Sequence, residues 1–348
     1  MSMRALIFAG AGASTAVSRE HFPTTRDFFE RLPESVTSNR LFGLVQDFLR
    51  RNEPSRVIDI EEILWELETI RRFADAAITG EGIIGYALHD AKLAQLAYDP
   101  NANFGHLNQT VASTRSLCTD LIGKINAVVY DLYDHEPADE ELKHNWTYLF
   151  DKMRTADWTA DVFTTNYDIA IETSVTLDPK FEYDDFVGLK GKVQKKLDIE
   201  RWLNSDPKKV LLTKLHGSIN WQWGNNCINV SAAAFTGNHK NHAIIYPGFK
   251  GESESDFFSP LHRYLGERLE AADLLVFIGF AFRDEYINRL IAERVDSRTK
   301  IIVINPDKSV KYPIIRRSPI YIHNGFDQES INQALAELAK IRPRVKFI

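Results

Sequence analysis

The strongest constraint on this chain lies at its start. Residues 4–9, RALIFA, form a short apolar run that passes directly into Gly10-Ala11-Gly12-Ala13-Ser14. A run this short and interrupted by glycine cannot cross a membrane, and it lacks the shape of a secretory signal. It reads as a buried strand. A buried strand that feeds a glycine turn and then a helix is the opening of a doubly wound α/β sheet. Similar β-rich apolar runs recur at Asp161–Thr164, Val210–Leu215, Ala243–Tyr246, Leu274–Gly279 and Ile301–Ile304. Several are flanked by helical patterns, as a mostly parallel sheet requires.

The long segment between the first two runs is helical in character. Asp59 with Glu62 forms a capping-box start, after which Ile60, Ile63, Leu64, Leu67 and Ile70 recur at helical spacing. Leu117, Leu121, Ile122, Ile125, Val128 and Val129 repeat the pattern. These stripes read as core packing. The expected organisation is a Rossmann-like sheet domain over residues 1–25 and 158–320, a helical insertion over 26–157, and a C-terminal helix and tail over 321–348. Residues 175–260 are less regular and carry Trp202, Trp221, Trp223, Phe249, Phe257 and Phe258, as a surface module or a lid over a cleft would.

Composition narrows the function classes. The net charge of −6 argues against a nucleic-acid scaffold, which needs Lys and Arg facing phosphate, so any link to nucleic acid is indirect. The lysines at 190, 192, 195, 196, 208 and 209 read as a solvated face. Two cysteines, Cys118 and Cys227, point to a reducing compartment and exclude a four-cysteine zinc module. No bound metal and no membrane span are expected, and the sequons at Asn108, Asn145 and Asn229 matter only in a secreted protein. The expected location is the cytoplasm.

Five pieces at the ends of these runs can carry chemistry. Gly10 through Ser14 can cradle a pyrophosphate, helped by the positive end of the following helix; equally, a glycine turn can do nothing but turn. Thr164-Thr165-Asn166-Tyr167-Asp168 follows a strand, where ligands of open α/β sheets bind. Asn166 and Asp168 point the same way on an extended segment and can face one amide or ribose, or one of them can cap the helix that follows. Lys214-Leu215-His216-Gly217-Ser218-Ile219-Asn220-Trp221 places a histidine at a strand end, suited to acid–base work near neutral pH or to a structural role. Gly279-Phe280-Ala281-Phe282-Arg283-Asp284 and Asn305-Pro306 end two more strands, either as ligand loops or as plain turns.

In their order along the chain, these five pieces resemble the sirtuin superfamily. The resemblance spans residue 4 to about residue 307, with no counterpart for the insertion or for 222–260. It implies that Gly10, Ala11, Gly12 and Ser14 hold the pyrophosphate of NAD. Asn166 and Asp168 would meet the nicotinamide ribose and carboxamide, and His216 would be the general base. Gly279, Phe280 and Asn305 would lie on the adenosine side. Residues 23–28 would form the loop over nicotinamide, although the family's Pro-Asp-Phe-Arg is Pro-Thr-Thr-Arg here. Thr165 stands where the family has glutamine. The missing zinc ribbon sets the chain apart from protein-deacylating sirtuins and makes it similar to the sirtuin-like NADase domains of bacterial antiphage defence proteins. That implies NAD as a substrate hydrolysed to nicotinamide and ADP-ribose, NAD depletion in antiviral defence, a homo-oligomer, and a separate sensor or ATPase partner. An NAD-dependent deacylase and a non-catalytic NAD-sensing or assembly subunit are the alternatives. A hydride-transferring dehydrogenase is disfavoured, because the third spaced glycine of that fingerprint is absent.

Overall fold

Strand β1 (Met3–Ala9) lies in the middle of the sheet because it is apolar on both faces: Ala5, Leu6, Ile7, Phe8 and Ala9 are all buried. A parallel strand covered by helices above and below has no water-facing side, so its sequence reads as a continuous apolar run. The computed structural model describes residues 3–23, 25–51, 54, 58–80, 104–133, 142–176, 186–187, 195–197, 210–225, 227–230, 242–244, 258–313, 318–338 and 340. The chain divides into two units. Met1–Thr24, Tyr130–Ile245 and Lys250–Ile348 form the first; Thr25–Val129 and Tyr246–Phe249 form the second.

In the first unit, β1 is joined by β2 (Trp158–Thr164), β3 (Phe186–Val187), β5 (Val210–Lys214), β9 (Leu274–Ile278), β10 (Lys300–Ile304) and β11 (Ile320–Ile322). They form a seven-stranded sheet in the order β11-β10-β9-β1-β2-β5-β3, with every pairing parallel. Ile7 pairs with Val162 on one side and Val276 on the other. Winding reverses at β1, and the carboxyl ends of strands beside such a switch are where open α/β sheets bind ligands.

Alternation along the strands supplies both faces of the sheet. Ile7, Val162, Val276 and Ile302 share a core with Trp146, Leu149, Phe150 and Met153 of α7 (Asn145–Thr155) and with Ile331 and Ala334 of α11 (Gln328–Leu338). Phe8, Phe163 and Phe277 make a second, aromatic layer, with Phe163 meeting Tyr264 of α9 (Phe258–Ala271) at 5.7 Å. α7 falls in the segment read as the helical insertion and α11 in the one read as the C-terminal helix and tail; the apolar faces of both cover the sheet. The run at 243–246 departs from expectation. β8 (His242–Ile244) belongs to a second, antiparallel sheet with β4 (Lys195–Leu197), β6 (Gly217–Gly224) and β7 (Cys227–Val230), in the order β4-β7-β6-β8. The physical reason is local: β6 follows β5 after a two-residue turn, too short for the crossover that a parallel neighbour needs. Lys195 and Lys196 lie on β4, Trp221 and Trp223 on β6. The other lysines of the group at 190–209, and Trp202, Phe249 and Phe257, fall outside the described residues.

The second unit is helical: α2 (Thr25–Glu30), α3 (Glu34–Thr37), α4 (Arg40–Arg50), α5 (Ile60–Thr79) and most of α6 (Phe104–Tyr133). The Asp59–Glu62 capping box forms, and Gly80 ends α5 in the left-handed region at φ 77°. Ile60, Ile63, Leu64 and Leu67 are buried as their spacing requires. On α6 the buried stripe is Cys118, Leu121, Ile125 and Val129, whereas Leu117 is 53% exposed. Cysteine packs as a small hydrophobe, and its position keeps the helical period better than Leu117 does. Among the described residues, no helix is long and apolar enough to cross a membrane.

Candidate functional site

Three neighbouring strands of the first unit are tied together at their carboxyl ends by backbone. The Gly10 N–H donates to Ile278 O at 2.9 Å, the Gly12 N–H to Gly279 O at 3.2 Å, and the Gly279 N–H to Ile304 O at 2.9 Å. A Cβ on Gly10 or Gly12 would run into the Gly279 backbone, and one on Gly279, at φ 56°, would run into Gly12 and Ala13. These glycines are therefore required by loop-on-loop packing. That packing sets the start of α1 (Ala11–Thr15), which carries Ala11 and Ser14. Asn305 is held in the same way: its Nδ2 donates to Phe280 O at 3.2 Å, and its Oδ1 accepts from the Asp307 N–H at 3.0 Å.

The β1 and β2 ends meet through side chains. Asn166 Nδ2 donates to Ser14 Oγ at 2.9 Å, and Ser14 Oγ donates to Asp168 Oδ1 at 3.0 Å. Asp168 Oδ1 also accepts from the Ala170 N–H at 3.0 Å, so Asp168 starts α8 (Ala170–Thr176) as a cap. Asp168 thus caps the helix that follows, and Asn166 and Asp168 converge on Ser14. Thr164 Oγ1 donates to Ala9 O at 2.8 Å and accepts from the Asn166 N–H at 3.0 Å, fixing the turn between them. Thr165, Asn166 and Tyr167 are half-buried; Asp168 is buried.

The β5 end docks against this turn. The Leu215 N–H donates to Thr164 O at 2.9 Å and the Ile219 N–H to Tyr167 O at 3.0 Å. Gly217, at φ 84°, lets the chain reverse into β6. His216 is buried, with its ring 6.3 Å from that of Tyr167 and its Nε2 3.4 Å from Asp284 Oδ2. Beneath the turn, the buried ammonium of Lys214 donates to Asp168 O and to Ser218 Oγ (2.7 Å) and pairs with Glu172 Oε1 at 2.6 Å. Ser218 Oγ in turn donates to Tyr167 O at 3.1 Å. Burial pushes the carboxyls of Asp168 and Glu172 above the usual carboxylate range, while Lys214 pulls both back down.

Ser14, Asn166 and Asp168 are thus brought into direct contact, and His216 joins them through Tyr167 and the backbone. Gly10, Gly12, Gly279, Phe280 and Asn305 gather at the β9 and β10 side. Pro23 is buried, but the side chains of residues 24–27 lie outside the described residues. Lys214, Glu172, Ser218 and Asp284 were not singled out for a role. A lysine closing an apolar strand was the available signal for the first, since such a charge needs buried partners. Among the described residues, no three His, Cys, Asp or Glu side chains group as metal ligands would.

The model of the SIR2-like domain family matches residues 160–341. No curated protein matches the sequence. Solved structures similar to the chain include a Sir2 homologue in complex with NAD, 12% identical, covering 97% of this chain and 90% of that one at a TM-score of 0.45. Another is a Sir2 protein with a p53 peptide and NAD+, 11% identical, covering 97% and 95% at 0.41.

Proposed function

Because the chain belongs to the SIR2-like family, we propose that it is an enzyme that binds NAD at the strand ends of its first unit and hydrolyses the nicotinamide–ribose bond, giving nicotinamide and ADP-ribose. The observation that carries this reading is the bonded cluster Ser14–Asn166–Asp168, with the imidazole of His216 buried in the adjoining turn. Such a site suits a substrate that already carries its leaving group. Nicotinamide leaves as a neutral ring from a positively charged one, and the ribosyl carbon passes through an oxocarbenium-like state. The protein then has to orient, exclude water other than the attacking one, and take a proton.

In this reading Asp168, held by Ser14 and Ala170, faces the carboxamide, and Asn166 orients the ribose face or the attacking water. Thr165 borders them. His216 takes the proton from water or a ribose hydroxyl. The pyrophosphate meets the Gly10–Ser14 loop at Ala11 and Ser14, since the Gly10 and Gly12 amides donate into the neighbouring loop. Gly279, Phe280 and Asn305 form the adenosine side. Hydrolysis is favoured over protein deacylation because two cysteines cannot build the four-thiolate ribbon against which deacylases bind peptide. Uncontrolled NAD loss would be toxic, so the activity belongs with a gate: assembly into a homo-oligomer, or a sensor or ATPase partner, in antiphage defence.

The test is purified protein with NAD alone and with candidate activators, the products separated by chromatography. ADP-ribose and nicotinamide are expected. His216→Ala and Asn166→Ala should each lower turnover by about 10²–10⁴-fold with the melting curve kept. Wild-type turnover in either variant removes that residue's role, and nicotinamide release only with an acyl-lysine peptide would make the protein a deacylase.

A further inference from the structure

The loop after β9 contains a strained residue that has no role in the reading above. Phe282 sits at φ 55°, in the left-handed region that non-glycine residues avoid. Its surroundings hold it there. Its ring packs 4.6 Å from Phe277, 5.2 Å from Phe280 and 5.6 Å from Tyr312, and its carbonyl accepts from Asn288 Nδ2 at 2.7 Å. Strain held this firmly in a loop at a strand end directs attention to what the turn delivers.

It delivers Asp284. One carboxylate oxygen, Oδ1, caps α10 (Glu285–Arg294) by accepting from the Tyr286 N–H at 3.1 Å and the Ile287 N–H at 3.2 Å. The other, Oδ2, faces His216 Nε2 at 3.4 Å, with both side chains at least nine-tenths buried. The cap does not account for a carboxylate, because asparagine or serine caps as well. The charge is what the second contact uses.

We propose that Asp284 is a positioning residue for His216: set by the turn at Phe282, its carboxylate holds the imidazole in one orientation and stabilises the imidazolium formed when His216 takes a proton. This rests on the reading of His216 as the general base. With the Nε2 proton toward the carboxylate, the neutral ring keeps its lone pair on Nδ1. In the proton transfer the O–H bond of water or ribose breaks, its electron pair stays on oxygen, and an N–H bond forms at Nδ1. Among the described residues, groups near the imidazole include the Asp284 carboxylate from the start of α10 and the Tyr167 ring from the β2 turn. Lys214, on the strand before His216, directs its ammonium to Glu172, Ser218 and the Asp168 carbonyl. Arg283, beside Asp284 in sequence, acts on Asp307, whose carboxyl is held below the usual range chiefly by its hydrogen bonds from Ser309 and, to a lesser extent, by the Arg283 charge.

Asp284→Asn keeps the cap and removes the charge. Two readouts are taken: the His216 imidazole titration by NMR, and kcat for NAD against pH. The variant should melt with the wild type, its imidazole should titrate about one pH unit lower, and kcat should fall about 10- to 10²-fold, short of the loss of the base itself. If Asp284→Asn melts early, Asp284→Ser, which also caps, is read in the same way. An imidazole that titrates unchanged, with turnover unchanged, overturns the proposal and leaves the NAD reading in place. A wild-type protein that cleaves no NAD, while the titration still moves, overturns the base reading and leaves the pairing.

Discussion

The two units of this chain bury different chemistry. Every buried polar or charged residue among those described lies in the sheet unit, including Ser14, Asp168, Glu172, Lys214, His216 and Ser218. The helical unit buries only apolar side chains, such as Phe42, Ile63, Leu67, Leu121 and Ile125. Its charges stay at the surface: Arg71 pairs with Glu68 and with Asp75 (2.6 Å), and Lys124 with Asp120 (2.8 Å). It also holds most of the large apolar side chains left exposed, Leu44, Phe48, Phe73, Ile78 and Leu117. Buried polar groups cost free energy unless they are paired. Their concentration in one unit, several of them at the carboxyl ends of its strands, is the contrast with the helical unit.

The contrast can be broken most sharply at its charges. Lys214→Ala strands Glu172 against Asp168 without their buried cation and should cost about 3–5 kcal/mol in urea unfolding. Arg71→Ala, which loses only surface pairs, should cost less than about 1 kcal/mol. Equal losses would mean that the buried network has no special weight. Next comes Gly279→Ala, which adds a side chain where φ is 56° and the Gly10–Ala13 loop is packed against it. A loss of about 2–4 kcal/mol is expected from left-handed strain plus overpacking, together with weakened NAD binding in calorimetry; a neutral result would show that the loop yields easily.

Within the helical unit, Cys118→Ser buries an unpaired hydroxyl and should cost about 1–3 kcal/mol. Leu117→Ser, one residue away on the exposed side, should stay within about 0.5 kcal/mol. Reversal of that order in thermal melts would place the stripe elsewhere. The smallest effect concerns pH. Glu172 is raised above the usual carboxylate range, chiefly by burial, so its contribution is fully present below the unfolded value and is lost as pH rises through the folded one. Glu172→Gln should therefore flatten the decline in melting temperature as pH rises above the usual carboxylate range. An unchanged slope would assign that decline to other groups.

Much of the sheet was legible in the sequence, because a parallel strand covered on both faces must be apolar throughout: RALIFA and Leu274–Ile278 could hardly be anything else. The same reasoning failed for β8, where the short apolar run pairs antiparallel in another sheet. That Asn166, Asp168 and His216 stand just past the ends of β2 and β5 was legible, because the apolar runs before them mark where each strand stops. Lys214 and Asp284 were in view as letters only. Their meaning lies in distances of 2.6 Å to Glu172 and 3.4 Å to His216, across 42 and 68 positions of chain respectively (214 less 172; 284 less 216).

What the amino-acid order determined alone was periodic and local: which runs are strands, where α5 is capped, and that glycines stand where the loops turn. Such features depend on neighbours within a few residues and on burial of one face. Which loops meet was decided by tertiary structure. The order β9-β1-β2-β5 sets four strand ends side by side, and only then do Ser14, Asn166, His216 and Asp284 share one place. Contact energy between side chains depends on separation in space, and nothing in a linear pattern measures that.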